Sequence, residues 1–85
     1  MEFDYRTRGT CSSRIHVELD GRKVKHVAFT GGCNGNLQGI SRLVEGMDID
    51  DVIARVRGIR CGMKQTSCPD QLAQALEEAK RKLDA

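Results

Sequence analysis

Ile15, Val17 and Leu19 alternate strictly with His16, Glu18 and Asp20, the two-residue period of a strand with one buried face. Asp20-Gly21 follows as a hairpin turn, in which glycine supplies the positive φ. Beyond it Val24, Val27, Ala28 and Phe29 mark a second strand over about residues 23–30. Upstream, Phe3 and Tyr5 alternate with Asp4 and Arg6, a weaker strand signal over about residues 2–8. Three such runs joined by short turns predict a three-stranded antiparallel sheet in meander order.

The period then changes. Gly31-Gly32-Cys33-Asn34-Gly35-Asn36 breaks the strand pattern, and after it Leu37, Ile40, Leu43 and Val44 fall on one helical face. Gly46 is the expected stop. Asp48, with Asp51 three residues on, opens a second helix in a capping-box-like arrangement. Its apolar stripe is Ile49, Val52, Ile53 and Val56, and Gly58 ends it. After a connector over residues 59–65, Thr66-Ser67-Cys68-Pro69-Asp70 marks a third start, with proline inside the first turn and Asp70 as the capping residue. Leu72, Leu76, Ala79 and Leu83 line the buried face of that last helix. No repeat, linker or low-complexity stretch interrupts the chain, so residues 1–85 read as one α+β domain, a sheet covered by about three helices.

Composition sharpens this picture in one respect. The chain has no Trp, one Tyr and two Phe, so its core must be aliphatic, and at 85 residues it is near the lower end of what such a core stabilises alone. A staple helps domains of this size, and four cysteines are available for one. The net charge of +2 comes from 14 basic and 12 acidic residues, interspersed rather than gathered on a face, which argues against nucleic acid as a partner. Lys80-Arg81-Lys82 offsets the negative end of the last helix. No apolar run approaches the roughly 20 residues needed to span a bilayer, and the charged start of the chain lacks the apolar region of a secretory signal. The expectation is a cytoplasmic protein, where thiols, metal ligation or redox chemistry are favoured over structural disulfides.

The cysteines Cys11, Cys33, Cys61 and Cys68 are separated by 21, 27 and 6 residues, none of them a Cys-x-x-Cys knuckle. Their contexts say more than their spacing. Cys11 lies in the Gly9-Thr10-Cys11-Ser12-Ser13 turn, Cys33 and Cys68 stand where helices begin, and Cys61 is on a glycine-flanked connector. Buried structural cysteines occupy apolar core positions instead. A helix start stabilises a thiolate, and thiolates bind zinc and iron. The four are therefore expected to converge on one Zn2+ ion or an iron–sulfur cluster. His16 and His26 lie on strands at surface positions and are not assigned as ligands. The Gly31–Asn36 loop before a helix admits a phosphate-binding reading, with Arg6, Arg8, Lys23 and Lys25 as a basic stripe, but it lacks the spacing and lysine of a P-loop.

Around Thr66–Asp70 the chain resembles stand-alone TSCPD-domain proteins over nearly its whole length. The matching stretches are Tyr5–Cys11, Phe29–Gly39, Leu43–Met47, Gly58–Gly62 and Thr66–Leu76. The same module is found at the C-terminus of adenosylcobalamin-dependent ribonucleotide reductases. The resemblance implies metal binding by the cysteines and a role accessory to a ribonucleotide-reductase-type partner. Its alternatives are a thiol-redox accessory, the ribonucleoside-diphosphate reductase activity itself, or a nucleotide-binding module. Eighty-five residues do not hold a radical-generating barrel, a cobalamin site and a substrate pocket together.

More distantly, the order of features is similar to the IscU/NifU-type iron–sulfur scaffolds, whose three cysteines correspond to Cys11, Cys33 and Cys68. Ser13 and Ser67 stand where those scaffolds carry Asp and His, and Cys61 offers a fourth thiolate. That set implies a closed structural site rather than cluster transfer. An exposed edge strand would allow a homodimer.

Overall fold

The computed structural model describes residues 1–84. It contains β1 (Glu2–Arg6), β2 (Ser12–Asp20), β3 (Lys23–Gly31), α1 (Asn34–Val44), α2 (Ile49–Val56) and α3 (Cys68–Asp84). The strands form one antiparallel sheet in the order β1-β2-β3, the expected meander. Phe3 faces Val17 and Tyr5 faces Ile15 across β1–β2, while Val17 faces Val27 and Ile15 faces Phe29 across β2–β3. The alternation in the sequence thus becomes two distinct surfaces. Ile15, Val17, Leu19, Val24 and Val27 are buried, together with Ile49 and Val52 of α2, Val44 of α1 and Leu72, Leu76 and Ala79 of α3. Glu2, Asp4 and His16 lie on the other, more exposed face of the sheet.

Local chemistry sets the boundaries. Gly21 takes φ +60° in the β2–β3 turn. β1 ends at Arg6 rather than near residue 8, because the chain must turn at Gly9 and Thr10 to bring Cys11 round to the start of β2. After α1, the Gly46 N–H donates to the Val24 carbonyl at 2.7 Å and the Val24 N–H to the Met47 carbonyl at 2.9 Å. The helix connection therefore covers the beginning of the β3 edge. The Asp48 carboxylate caps α2 by accepting the Asp50 N–H at 2.9 Å.

Two sequence expectations are corrected. Leu43, expected on the buried face of α1, is 78% exposed, and the buried positions are Leu37, Ser41 and Val44. The stripe follows i, i+4, i+7, and Ser41 is accommodated because its hydroxyl donates to the Leu37 carbonyl at 2.9 Å. Leu43→Lys is accordingly expected to change stability by less than about 0.5 kcal/mol in urea denaturation, where a core leucine would lose several.

The second correction concerns the start of α3. Ser67, not Asp70, is its cap: the Ser67 Oγ accepts the Asp70 N–H at 3.1 Å and donates to the Ile59 carbonyl at 2.7 Å.

Candidate metal centre

One end of the sheet collects the β1–β2 turn, the end of β3 and the start of α3, since Ser12 at the head of β2 pairs with Gly31 at the tail of β3. The turn is fixed from several sides. The Thr10 hydroxyl donates to the Ser12 carbonyl at 3.1 Å, and the Arg8 N–H donates to the Gln71 side-chain oxygen of α3 at 3.0 Å. A Cβ on Gly9 would stand 3.3 Å from the Thr66 methyl, so turn and helix start are in contact.

This brings two cysteines together. The Cys11 and Cys68 sulfurs are 3.8 Å apart. Cys68 is buried in the first turn of α3, and the Ser12 hydroxyl, itself buried, lies 3.1 Å from its sulfur. Burial alone would raise the Cys68 thiol pKa. The hydrogen bonds from the Ser12 side chain and backbone, then from Cys11 and Thr10, outweigh it and bring the thiol below its ordinary value. Cys11 is exposed at the mouth of the pair.

Cys33 caps α1 through its backbone, the carbonyl accepting the Leu37 N–H at 2.9 Å, and its side chain is exposed. It follows Gly32, which abuts the pair: a Cβ on Gly32 would lie 3.1 Å from the Cys11 sulfur. Cys61, also exposed, sits on a tight loop closed by its N–H to the Thr66 carbonyl at 3.1 Å, two residues before Cys68. Cys11 and Cys61 lie on turns, Cys33 and Cys68 at helix starts, and all four are free thiols. The structure brings the Cys11 and Cys68 sulfurs to 3.8 Å of each other and leaves Cys33 and Cys61 on turns. Among the described residues no three cysteine sulfurs lie within 4.8 Å of one another.

Behind the pair stands Asp70, 2% exposed. One oxygen accepts the Gly58 N–H at 2.6 Å and the Arg57 guanidinium at 2.9 Å. The other accepts the Thr66 hydroxyl and, at 3.0 Å, the Gln74 amide. Burial pushes this carboxyl up, and the bonds from Thr66, Gly58, Gln74 and Arg57 together bring it below the usual carboxylate range. It joins the end of α2, the Cys61 loop and α3 into one unit. The sequence marks Asp70 as acidic at a helix start, a signal that a cap and a buried hub share. Ser12 and Gln71, which hold Cys68 and the turn, carry no local sequence signal because both act across long sequence separations.

Fold and site together define a small α+β domain with its thiols on turns and at helix starts. The chain belongs to the TSCPD domain family, which it matches over residues 3–80. Neither a curated protein nor a solved structure matches it. The five residues of the family's name form the turn just described: Thr66 binds Asp70, Ser67 caps α3, Cys68 enters the thiol pair, Pro69 occupies the first turn and Asp70 ties the connector down. Among the described residues no helix is long and apolar enough to cross a membrane.

Proposed function

We propose that this domain binds one metal ion through Cys11, Cys33, Cys61 and Cys68, with Zn2+ as the ion and an iron–sulfur cluster as the alternative cargo. The observation that carries the reading is the Cys11–Cys68 separation of 3.8 Å. Zinc–sulfur bonds of about 2.3 Å in a tetrahedron set the sulfurs about 3.8 Å apart, a separation that the pair matches. Cys33 and Cys61 supply the second edge by moving from the adjacent turns. The bonds from Ser12, Cys11 and Thr10 lower the Cys68 thiol pKa, which favours the thiolate a metal requires. A closed four-thiolate ion has no open position and serves structure. That role suits a module accessory to a larger ribonucleotide-reductase-type protein.

Metal analysis and an absorption spectrum of untagged protein purified without air test this. About one zinc per chain is expected, lost in Cys68→Ser and weakened in Cys61→Ser, with chelation lowering the melting temperature. Brown protein carrying iron and sulfide would assign the cluster instead. Four reactive thiols, no metal and unchanged stability on chelation would overturn the proposal.

The same pair supports a second reading, a thiol–disulfide relay. The Cys68 thiolate would attack a partner's disulfide, and Cys11 would then displace the partner's thiolate from the mixed disulfide. The two cysteines give up two electrons as the partner is reduced to two thiols. Thiol titration separates the two readings, because a relay needs one fast-reacting pair whereas a metal shields all four sulfurs until it is removed.

A further inference from the structure

The two edges of the sheet differ. The start of β3 is closed by the α1–α2 connection, with Val24 bonded to Gly46 and Met47 and Lys23 bridged to Asp48. β1 forms the opposite edge. Hydrogen bonds in an antiparallel pair fall on alternate residues. Met1 and Leu19 exchange both of theirs, at 2.8 and 3.0 Å, and the Thr7 N–H donates to the Ser13 carbonyl at 3.2 Å. By that alternation Phe3 and Tyr5 bond to β2, and the backbone N–H and C=O groups of Glu2, Asp4 and Arg6 point outward. The same phase continues to Arg8, whose N–H is taken up by Gln71 of α3.

A bare edge is a template for another strand, and proteins blunt it with lysine, proline or a bulge. β1 reads Glu2-Phe3-Asp4-Tyr5-Arg6, which contains neither residue, and it pairs with β2 without a register shift. Its charges have both signs, and their order selects a partner. Two copies of β1 can run antiparallel about a two-fold axis that passes through one residue. An axis at Glu2, Asp4 or Arg6 sets that charge against itself, and an axis at Phe3 sets Glu2 against Asp4. Like charges directly opposite are destabilising. An axis at Tyr5 instead sets Asp4 against Arg6 of the second copy, twice over, with the outward backbone groups of both residues in phase to bond. Within its own chain Arg6 stands opposite Arg14, a like pair that a carboxylate from a second copy would relieve.

We propose that β1 pairs with β1 of a second copy of this chain, antiparallel and centred on Tyr5, to make one six-stranded sheet. Phe3 and Tyr5, half-buried on the helix side, are covered further by the pairing. α3 flanks the same edge: the Tyr5 hydroxyl is 3.4 Å from Gln74 Oε1, and Lys82 Nζ stands 5.0 Å from the Phe3 ring centre. Between β1 and α3 lies a cleft of about 810 Å3, lined by charges of both signs, Glu77, Glu78, Arg81 and Lys82 among them. In the dimer the two clefts face each other across the axis. The contact is one short strand with flanking side chains, so it belongs to the small, reversible class of interface. It uses no cysteine and is independent of the metal proposed for them.

Sedimentation of the untagged chain in reductant, which prevents disulfide-linked pairs, tests this from about 10 μM to about 1 mM, where weak interfaces titrate. The mass should rise toward that of a dimer. Hydrogen exchange should show the Asp4 and Arg6 amides slowing as concentration rises. Asp4→Arg and Arg6→Asp should each weaken association by about tenfold or more, because each sets like charges opposite in this register. An equimolar mixture of the two variants should associate as the native chain does, since every cross-strand charge pair is then opposite again. Amide spectra unchanged outside β1 and β2 will show that both variants are folded. A chain monomeric throughout, a dimer indifferent to both substitutions, a mixture no stronger than its parts, or protection confined to another segment would overturn the proposal. In the first case the charges of β1 serve only to keep the edge single.

Discussion

Asp70→Ala is expected to remove about 3 kcal/mol of stability or more, measured by urea denaturation of the metal-free chain. The carboxylate is almost wholly buried and receives bonds from Gly58, Thr66, Gln74 and Arg57. Deleting it leaves a backbone N–H, a hydroxyl and an amide without their acceptor; each such orphan costs about 1–3 kcal/mol when fully buried, and less here because the three bonds are only part-buried. The Arg57 contribution is the smallest, since that side chain is half exposed and its charge is screened. Asp70→Asn keeps the shape but turns an NH2 toward donors, so it should recover little. A native-like midpoint in Asp70→Ala would show that the hub is dispensable and that the α2–α3 connector is held by other means. For a domain of this size, with a total stability of about 5–10 kcal/mol on the usual scale, such a loss is a large fraction.

Gly32→Ala should cost about 2–3 kcal/mol and disturb the thiol pair together with the fold. Gly32 has φ +80°, where a side chain is strained. Its Cβ would stand 2.9 Å from a Leu37 methyl, 3.1 Å from the Cys11 sulfur and 3.2 Å from the Ser12 backbone nitrogen. The leucine can move; the Ser12 backbone, fixed in β2, cannot. Relief therefore comes by displacing Cys11 from Cys68. Gly35→Ala is the control, because Gly35 lies in α1 with nothing within 4 Å of the added carbon. That change should stabilise by about 0.5–1 kcal/mol through helix propensity. Equal effects at the two glycines would refute the close approach between the Gly31-Gly32 turn and Cys11. Metal content measured on both variants then tells whether the Cys11–Cys68 edge sets uptake.

The strands were legible because a sheet with one buried face writes its period directly into the chain. Ile15, Val17 and Leu19 alternate, and the pairing of Val17 with Val27 follows once Gly21 fixes the hairpin. The last helix was legible for a similar reason: Leu72, Leu76 and Ala79 recur at helical spacing and all three are buried. In α1 the reading failed where hydrophobicity and geometry disagreed. Leu43 looks like core and is exposed, while Ser41 looks like surface and is buried. What decided between them is the rotation of the helix on the sheet, set by Leu37 and Val44, with a hydroxyl able to bond its own backbone filling the remaining place.

By itself, then, the sequence determined the α+β class, the meander, the position of each helix and the placement of every cysteine in a turn or at a helix start. These are properties of local periodicity and of glycine and proline, and they need no knowledge of which elements touch. Tertiary structure alone decided that Cys11 meets Cys68 across 57 positions, that Ser12 and not a neighbour in sequence bonds the Cys68 sulfur, and that Asp70 joins three segments. It also decided that Glu2 and His16 share a patch, since the strand register puts them there. Such contacts depend on how the sheet end, the turns and α3 pack against one another. No local pattern encodes that packing, because burial rewards any arrangement that covers the apolar face.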